Sequence, residues 1–257
     1  MEICAVIPAA GRGTRLGLDV PKILAPLSLE DSIWTVLHRK LSTVSDHVHV
    51  VLSQEGECVF RRVCATEIAT GRVSTSVQPS AIGMGDAVFR GFDVWSKARL
   101  VLVIWGDQVF VSKKTLSSMV ALYDQAEKTV ILPLVSLPEP YVDYVFDAND
   151  NLLSVNQSRE GDHCRAGGWN DIGTFLLSVD GLKAAWEHYA SAAPRGRSTG
   201  EINFLPFFPY LAQKGWRVRR LCIADQREAR GVNTPEDLRY FRELLTASVP
   251  IDVHKPG

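Results

Sequence analysis

The residues with the clearest chemical promise sit in one early segment, Pro8-Ala9-Ala10-Gly11-Arg12-Gly13-Thr14-Arg15-Leu16-Gly17, followed by Pro21-Lys22. Small residues at 9, 10, 11 and 13 let the backbone approach a phosphate or a base. Glycine also permits the positive dihedral angles of an anion-cradling turn. Arg15 and Lys22 bring two cationic groups to the same segment, with no competing acid before Asp19. A polyphosphate chain is what such a loop would hold. Two familiar phosphate-binding patterns fail on spacing. A dinucleotide fingerprint needs a small residue where Leu16 stands, and a Walker A loop needs Gly-Lys-Ser/Thr where Leu16-Gly17-Leu18 stands. A second chemical group is Asp107, which follows the apolar run Leu100 to Trp105. A carboxylate at the carboxyl end of a buried strand faces the crevice where open α/β sheets bind ligands.

The elements that must position these groups are legible from periodicity. Ile3 to Ile7 is a short apolar run that ends at Pro8, as a buried first strand would. Asp31 is placed to cap a helix on which Ile33, Trp34, Leu37 and Leu41 recur at helical spacing. Strands are expected over 47–52, 73–77, 100–105 and 129–135, with helices around 59–69, 84–95 and from Ser112 to about 126. Strands alternating with helices imply a doubly wound, mostly parallel α/β sheet. The pattern changes at Tyr141 to Gln157, a β-hairpin turning at Asn149-Asp150-Asn151. Strands over 172–179 and 216–223 and a helix over 234–245 complete the chain. The expected organisation is one domain over residues 1–248. It comprises a nucleotide half of about 1–135, an acceptor-binding insertion of about 136–210, and a loose tail over 249–257.

The 257-residue chain has a formal net charge of −1, so phosphate-binding charge must be local, and neither nucleic acid nor anionic lipid is an expected partner. Five scattered cysteines without a C-x-x-C pair argue against a disulfide framework or a zinc site and are read as buried thiols. The six histidines form no ligand-spaced cluster. The amino terminus has no basic region ahead of its short apolar run, and no uncharged stretch approaches membrane-spanning length, so the cytoplasm is the expected compartment.

The segment Ala9 to Leu16 with Pro21-Lys22 resembles the signature of sugar-phosphate nucleotidyltransferases, with Rossmann-like fold, and is most similar to the uridyltransferase domain of bacterial N-acetylglucosamine-1-phosphate uridyltransferases. The resemblance continues, with gaps, to about residue 240. It implies that Gln78 binds the base edge while Gly83 and Gly85 let backbone approach it; Met84 stands where the family has threonine. It implies that Asp107 and the Asn233 of Gly231-Val232-Asn233 hold magnesium, a hard cation that keeps most of its waters and needs few protein oxygens. Asn233 could equally cap the helix that follows. Glu201 matches loosely a glutamate that contacts the sugar. By the same resemblance Asp143, Tyr144, Gln157 and Asp171 fall in the acceptor-binding region, where this chain departs from the amino-sugar enzymes. No glycine occurs between Gly106 and Gly161, Gln157 stands in place of a glutamate, and Asp171-Ile172-Gly173 stands in place of Asn-Thr-Gly.

The implied reaction joins an NTP, with UTP favoured, to a phosphorylated small-molecule acceptor such as a sugar 1-phosphate and releases pyrophosphate. Arg15 would hold the β- and γ-phosphates, with Lys22 nearer the α-phosphoryl. The departures favour a sugar other than N-acetylglucosamine, a cyclitol or another phosphorylated alcohol, the last in the manner of a cytidylyltransferase. A nucleotide-sugar glycosyltransferase would show Asp-x-Asp where Asp107-Gln108-Val109 stands. A non-catalytic nucleotide-binding module would not need Arg15, Lys22, Asp107 and Asn233 together. The oligomeric state is open, a homodimer being compatible with the chain.

Overall fold

The computed structural model describes residues 1–11, 16–17, 20–80 and 82–247. Gly13 and Arg15, both expected on the polyphosphate, lie outside the described residues, as does the tail after 248.

β1 (Ile3–Pro8) is buried along its whole length, as expected for a strand covered on both faces. It pairs in parallel with β2 (His47–Leu52) on one side and with β4 (Leu100–Ile104) on the other. β3 (Val73–Val77) extends the β2 side, also in parallel. β1 is therefore the point at which strand order reverses, and the crevice beyond its carboxyl end is where such sheets take ligands. On the β4 side the sheet runs β4, β9 (Thr174–Ser178), β5 (Thr129–Ser136) and β10 (Arg217–Cys222), and β8 (Trp169–Asp171) also pairs with β5. β9 is antiparallel to both its neighbours, so the expected mostly parallel sheet is mixed at its centre. The reversal matters for the site. Thr174 pairs with Ile104, so the residues just before β9 arrive at the end of the sheet where β4 delivers Asp107.

The hairpin is formed by β6 (Val142–Phe146) and β7 (Leu152–Gln157), which make a separate two-stranded sheet. Asp150 takes the left-handed conformation in its turn, φ 66°, a conformation that Asp tolerates better than most side chains. The buried Asn170 ties the hairpin to β8 by accepting from Val142 N at 3.1 Å.

One face of the sheet packs on α1 (Ile33–Leu41), α6 (Lys113–Ala121) and α9 (Pro235–Ala247), burying Trp34, Leu37, Leu116 and Phe241. The other face packs on α4 (Met84–Arg90), α5 (Phe92–Trp95), α7 (Leu182–Ala192) and α8 (Phe207–Gln213), an aromatic layer built from Trp95, Phe175, Trp186, Phe204, Phe207 and Phe208. Several boundaries differ from expectation for local reasons. Ser32, not Asp31, caps α1 in a reciprocal box with Thr35, while Asp31 takes Arg39. The helical stretch after β2 starts earlier, as α2 (Gln54–Val63) capped by Ser53, and α3 (Ala65–Ala69) follows it. The expected helix over 84–95 breaks at Gly91, where a Cβ would lie 2.5 Å from the His49 ring. α6 ends at Ala121, five residues short of its expected end at 126.

All five cysteines are free; only Cys4 and Cys64 are buried, so the expectation of buried thiols holds for two. His49 is buried with both ring nitrogens partnered, by Ser74 at 2.8 Å and Ser76 at 2.9 Å. Among the described residues no helix is long and apolar enough to cross a membrane.

Candidate active site

The carboxyl ends of β1 and β4 converge because Gly106 has no side chain: a Cβ there would lie 3.2 Å from Ala9 Cβ and 3.3 Å from the Pro8 carbonyl. A cavity of about 640 Å³ opens at this convergence. Ala9, Ala10 and Gly11 line its floor beside Gln78 and Gly83. Gln78 is buried, and its amide donates to the Gly83 carbonyl at 3.0 Å and to Asp86 Oδ2 at 2.8 Å, stapling the segment after β3 to α4. Gly83 sits at φ 132°, and a Cβ would meet the Ile202 carbonyl at 3.1 Å. Only glycine lets these two segments approach so closely. Gly85 has a different part from the expected one. It is buried in the first turn of α4 with the Trp186 indole 2.0 Å from where its Cβ would be, so it makes room for the aromatic core and does not line the cavity.

The centre of the cavity is a charged triad. Lys22 Nζ donates to Asp107 Oδ2 at 2.6 Å and to Asn233 Oδ1 at 2.8 Å. Three surrounding contacts hold the two oxygen-bearing residues together. Val232 N donates to the Asp107 carbonyl at 3.0 Å. Lys40, from α1, reaches the carbonyls of Val109 and Val111 at 2.5 and 2.8 Å, and burial pushes its ammonium down to about 8. The buried Glu228 accepts from Ser112 N and Thr115 Oγ1, both at 3.0 Å, which fastens the approach to Gly231-Val232-Asn233 onto the start of α6. Asn233 is not the cap of α9: Thr234 Oγ1 accepts from Asp237 N, leaving the Asn233 amide oxygen to the cavity.

These residues fit a hard divalent cation. Asp107 Oδ1 is buried without a hydrogen-bond partner, and Asp107 Oδ2 and Asn233 Oδ1 already converge on one positive charge. Among the described residues no group of three His, Cys, Asp or Glu forms a metal-sized cluster, so a cation here would retain waters, as magnesium does.

The far wall comes from the hairpin and the segment before β9. Gln157 and Asp171 line it, and Glu201 stands beside Gly83. Asp171 is buried; its carboxylate accepts from Gly173 N at 2.7 Å and from the Tyr144 hydroxyl at 3.2 Å. Burial pushes its carboxyl up to about 6, these hydrogen bonds opposing the shift. Two expected acceptor contacts are corrected. Asp143 is fully buried behind the wall, paired with Arg165 at 2.7 Å, which holds it below the usual carboxylate range against the effect of burial. Tyr144 is also fully buried and acts on Asp171 from behind. Trp105, Gln108, Tyr141, Arg159 and Asn203 line the cavity without having been singled out from sequence. Gln108 carried a signal, a polar residue directly after the strand-end carboxylate. Arg159, in the short 3-10 turn Ser158–Glu160, and Asn203 carried none, lying 44 positions apart and meeting at 2.8 Å.

A sheet with a reversal at β1, a small-residue loop beyond it and a Lys-Asp-Asn centre define a nucleotide-handling α/β protein. The chain matches the MobA-like NTP transferase domain over residues 5–155, more than half its length, and belongs to that family; it is a nucleotidyltransferase. It is 27% identical over 245 residues to the bifunctional protein GlmU of Acidithiobacillus ferrooxidans and 25% identical over 239 residues to that of Blochmanniella pennsylvanica. These alignments cover 93% and 92% of this chain and 51% of each relative, so the chain spans about half the length of the curated relatives it matches. The fold is shared with a putative glucose-1-phosphate thymidylyltransferase from Bacillus anthracis (TM-score 0.73, 15% identity, 99% and 98% of the two chains). It is shared also with a 4-diphosphocytidyl-2C-methyl-D-erythritol synthase from Anaerococcus prevotii (TM-score 0.66, 14% identity, 95% and 96%).

Proposed function

We propose that this chain condenses an NTP, with UTP favoured, with a sugar 1-phosphate or a similar phosphorylated acceptor, giving a nucleotide-diphosphate sugar and pyrophosphate. The observation that carries this reading is the continuity of one cavity from Ala9-Ala10-Gly11 through the Lys22–Asp107–Asn233 centre to the Gln157–Asp171 wall. Nucleotide and acceptor would thereby meet across the triad. The first-loop resemblance supports a sugar phosphate.

The acceptor's phosphate oxygen would attack the α-phosphorus in line. A new P–O bond forms, the bond from the α-phosphorus to the bridging oxygen breaks, and pyrophosphate leaves with that electron pair. No covalent nucleophile is needed, because a phosphate monoester is already ionised at neutral pH. Catalysis then rests on positioning and on neutralising charge that grows on the transferring and leaving groups. Asp107 and Asn233 would hold magnesium, which would neutralise phosphate charge and orient the two substrates. Lys22 supplies a second positive charge at the same point, and Arg15 is assigned to the outer phosphates by resemblance. Gln78 and Gly83 are assigned to the base, and Gln157, Asp171 and Glu201 to the acceptor.

The test is a panel of NTPs against sugar and cyclitol 1-phosphates with magnesium, read as pyrophosphate release. One productive pair identifies both substrates. Silence across the panel, with NTP still binding, refutes a sugar or cyclitol acceptor and moves the reading to a non-sugar phosphorylated alcohol or a nucleotide-binding module.

A further inference from the structure

Glu160 is a buried carboxylate that the reaction above does not use. It ends the 3-10 turn after β7 and is 5% exposed. Its Oε2 accepts from Ser198 N at 2.8 Å and its Oε1 from Thr199 Oγ1 at 2.9 Å, and the Asn203 amide also donates to it. The bond from Ser198 N holds its carboxyl below the usual carboxylate range against the effect of burial, so it is ionised at neutral pH. All three donors belong to one loop, residues 195–203, between α7 and α8.

That loop closes on itself. Arg195 and Ile202 form an antiparallel bridge, Gly196 N donates to the Glu201 carbonyl at 2.7 Å, and Gly200 N donates to the Gly196 carbonyl at 2.8 Å. A Cβ at Gly196 would lie 2.4 Å from Thr199 Oγ1, 2.6 Å from Glu160 Oε1 and 2.7 Å from Asn203 Nδ2, so only glycine leaves room for these three polar groups. The loop delivers Glu201, Ile202 and Asn203 to the cavity. The Ile202 carbonyl lies against Gly83, whose own carbonyl holds Gln78. Asn203 Oδ1 accepts from Arg159 at 2.8 Å on the far wall. One loop thus touches both sides of the cavity, and a buried carboxylate outside the cavity anchors its tip.

We propose that Glu160 is a positioning residue: by anchoring the 195–203 loop it ties the base side of the cavity to the acceptor side, so that a nucleotide on the first steadies the second. This rests on the nucleotidyl-transfer reading above. A nucleotide seated at Gln78 and Gly83 restrains the segment on which Ile202 and Glu201 rest. An ordering cost met by one ligand is not met again by the next, and the resulting coupling is reciprocal.

The test compares the full wild-type chain with Glu160→Gln and Thr199→Val. A carboxamide offers one oxygen where the carboxylate offers two, and valine removes the hydroxyl with little change of volume. Arg195 and Arg197 are exposed on the loop, so limited trypsin digestion at these two bonds, read by mass spectrometry, reports how often the loop opens. Cleavage there should be about tenfold faster in Glu160→Gln and several-fold faster in Thr199→Val, as loss of hydrogen bonds to a charged group implies, with cleavage at Arg61 and Arg62 in α2 unchanged. The α,β-methylene analogues of UTP, CTP, ATP and GTP are then added with magnesium and their binding followed by calorimetry. An analogue that binds should slow loop cleavage in wild type by roughly fivefold or more. In Glu160→Gln it should still bind, with that protection largely lost. In pyrophosphate release with the productive pair, Glu160→Gln should raise the acceptor KM by a larger factor than it lowers kcat. Loop cleavage no faster in the variants than in wild type, or faster only in step with cleavage at Arg61 and Arg62, would overturn the positioning role. Thr199→Val, which leaves every buried charge in place, decides this point if Glu160→Gln does not fold. A bound analogue that leaves the wild-type loop as cleavable as before, or an unchanged acceptor KM, would overturn the coupling. Binding of none of the four analogues would overturn the nucleotidyl-transfer reading and the coupling with it, whereas the ligand-free cleavage rates would still decide the anchor.

Discussion

At the scale of single residues the most informative side chain is Lys22. Its ammonium bridges the carboxylate and the amide oxygen that are otherwise suited to a divalent cation, so a cation held there would compete with the lysine for the same two oxygens. Two unit charges a few ångströms apart repel by roughly 4 kcal/mol at an effective dielectric of 20. Removing the lysine charge should therefore favour metal while disabling chemistry. Lys22→Met is expected to bind manganese at least tenfold more tightly than wild type in the absence of nucleotide, read by electron paramagnetic resonance of the free ion. Its turnover should fall by about 10² or more, as loss of a preorganised electrostatic donor does. Unaltered or weaker manganese binding in the variant would mean that Lys22 supports the metal residues and does not compete with the ion.

At the scale of elements, the site depends on helices and strands meeting closely enough to bring loops together. α4 illustrates this. Gln78 anchors its entry, Gly83 precedes it, and Gly85 allows Trp186 of α7 to lie against its first turn, where the indole stacks on Phe89 at 5.1 Å between ring centroids. A methyl group at 85 cannot be accommodated without displacing that indole, and overpacking a close-packed core typically costs about 1–3 kcal/mol. Gly85→Ala is expected to lower the urea midpoint by an amount in that range, with nucleotide affinity following stability and not falling independently. A variant of unchanged stability that has lost nucleotide binding would return Gly85 to the base-contacting role its position in the sequence suggests.

At the scale of the whole molecule, two buried titrating groups act in opposite directions on stability. Burial pushes His49 down to about 4 from an ordinary value of 6.5, with His47 adding to the effect. The unfolded chain then binds more protons between pH 6.5 and 4, and this contribution is lost as pH falls through that window. Asp171 is pushed up from 3.8 to about 6, so the folded chain binds more protons between pH 6 and 3.8, and its contribution grows as pH falls. The two contributions therefore oppose each other between about pH 6 and 4. Asp171→Asn preserves a bond from Gly173 N and can reverse the one with Tyr144. It is expected to stabilise the fold at pH 7 and to lose stability more steeply than wild type between pH 6 and 4. His49→Gln should show the opposite slope difference. Urea titrations at four pH values separate the two; parallel curves for wild type and Asp171→Asn would mean that the carboxyl titrates normally.

What the sequence determined by itself was whatever depends on neighbours along the chain. The apolar run before Pro8, the small-residue loop, the hairpin turning at Asn149 to Asn151 and the final helix from Pro235 all follow from local periodicity and turn chemistry. Asp107 was legible because a buried run ending in a carboxylate is a local pattern. The tertiary structure decided whatever depends on residues distant in sequence. The antiparallel insertion of β9 between β4 and β5 brings Asp171 and Gly173 to the same sheet end as Asp107. The Cβ-sized gaps at Gly85 and Gly173 are filled by Trp186 and Gln108, side chains 101 and 65 positions away. Asp143 and Tyr144 are held behind the wall by partners distant in sequence, Asp143 by Arg165 and Tyr144 by Asp171. Local patterns fix which residues an element contains; long-range packing fixes which of them face one another, and the meeting of Gln157 and Asp171 at one cavity belongs entirely to the second.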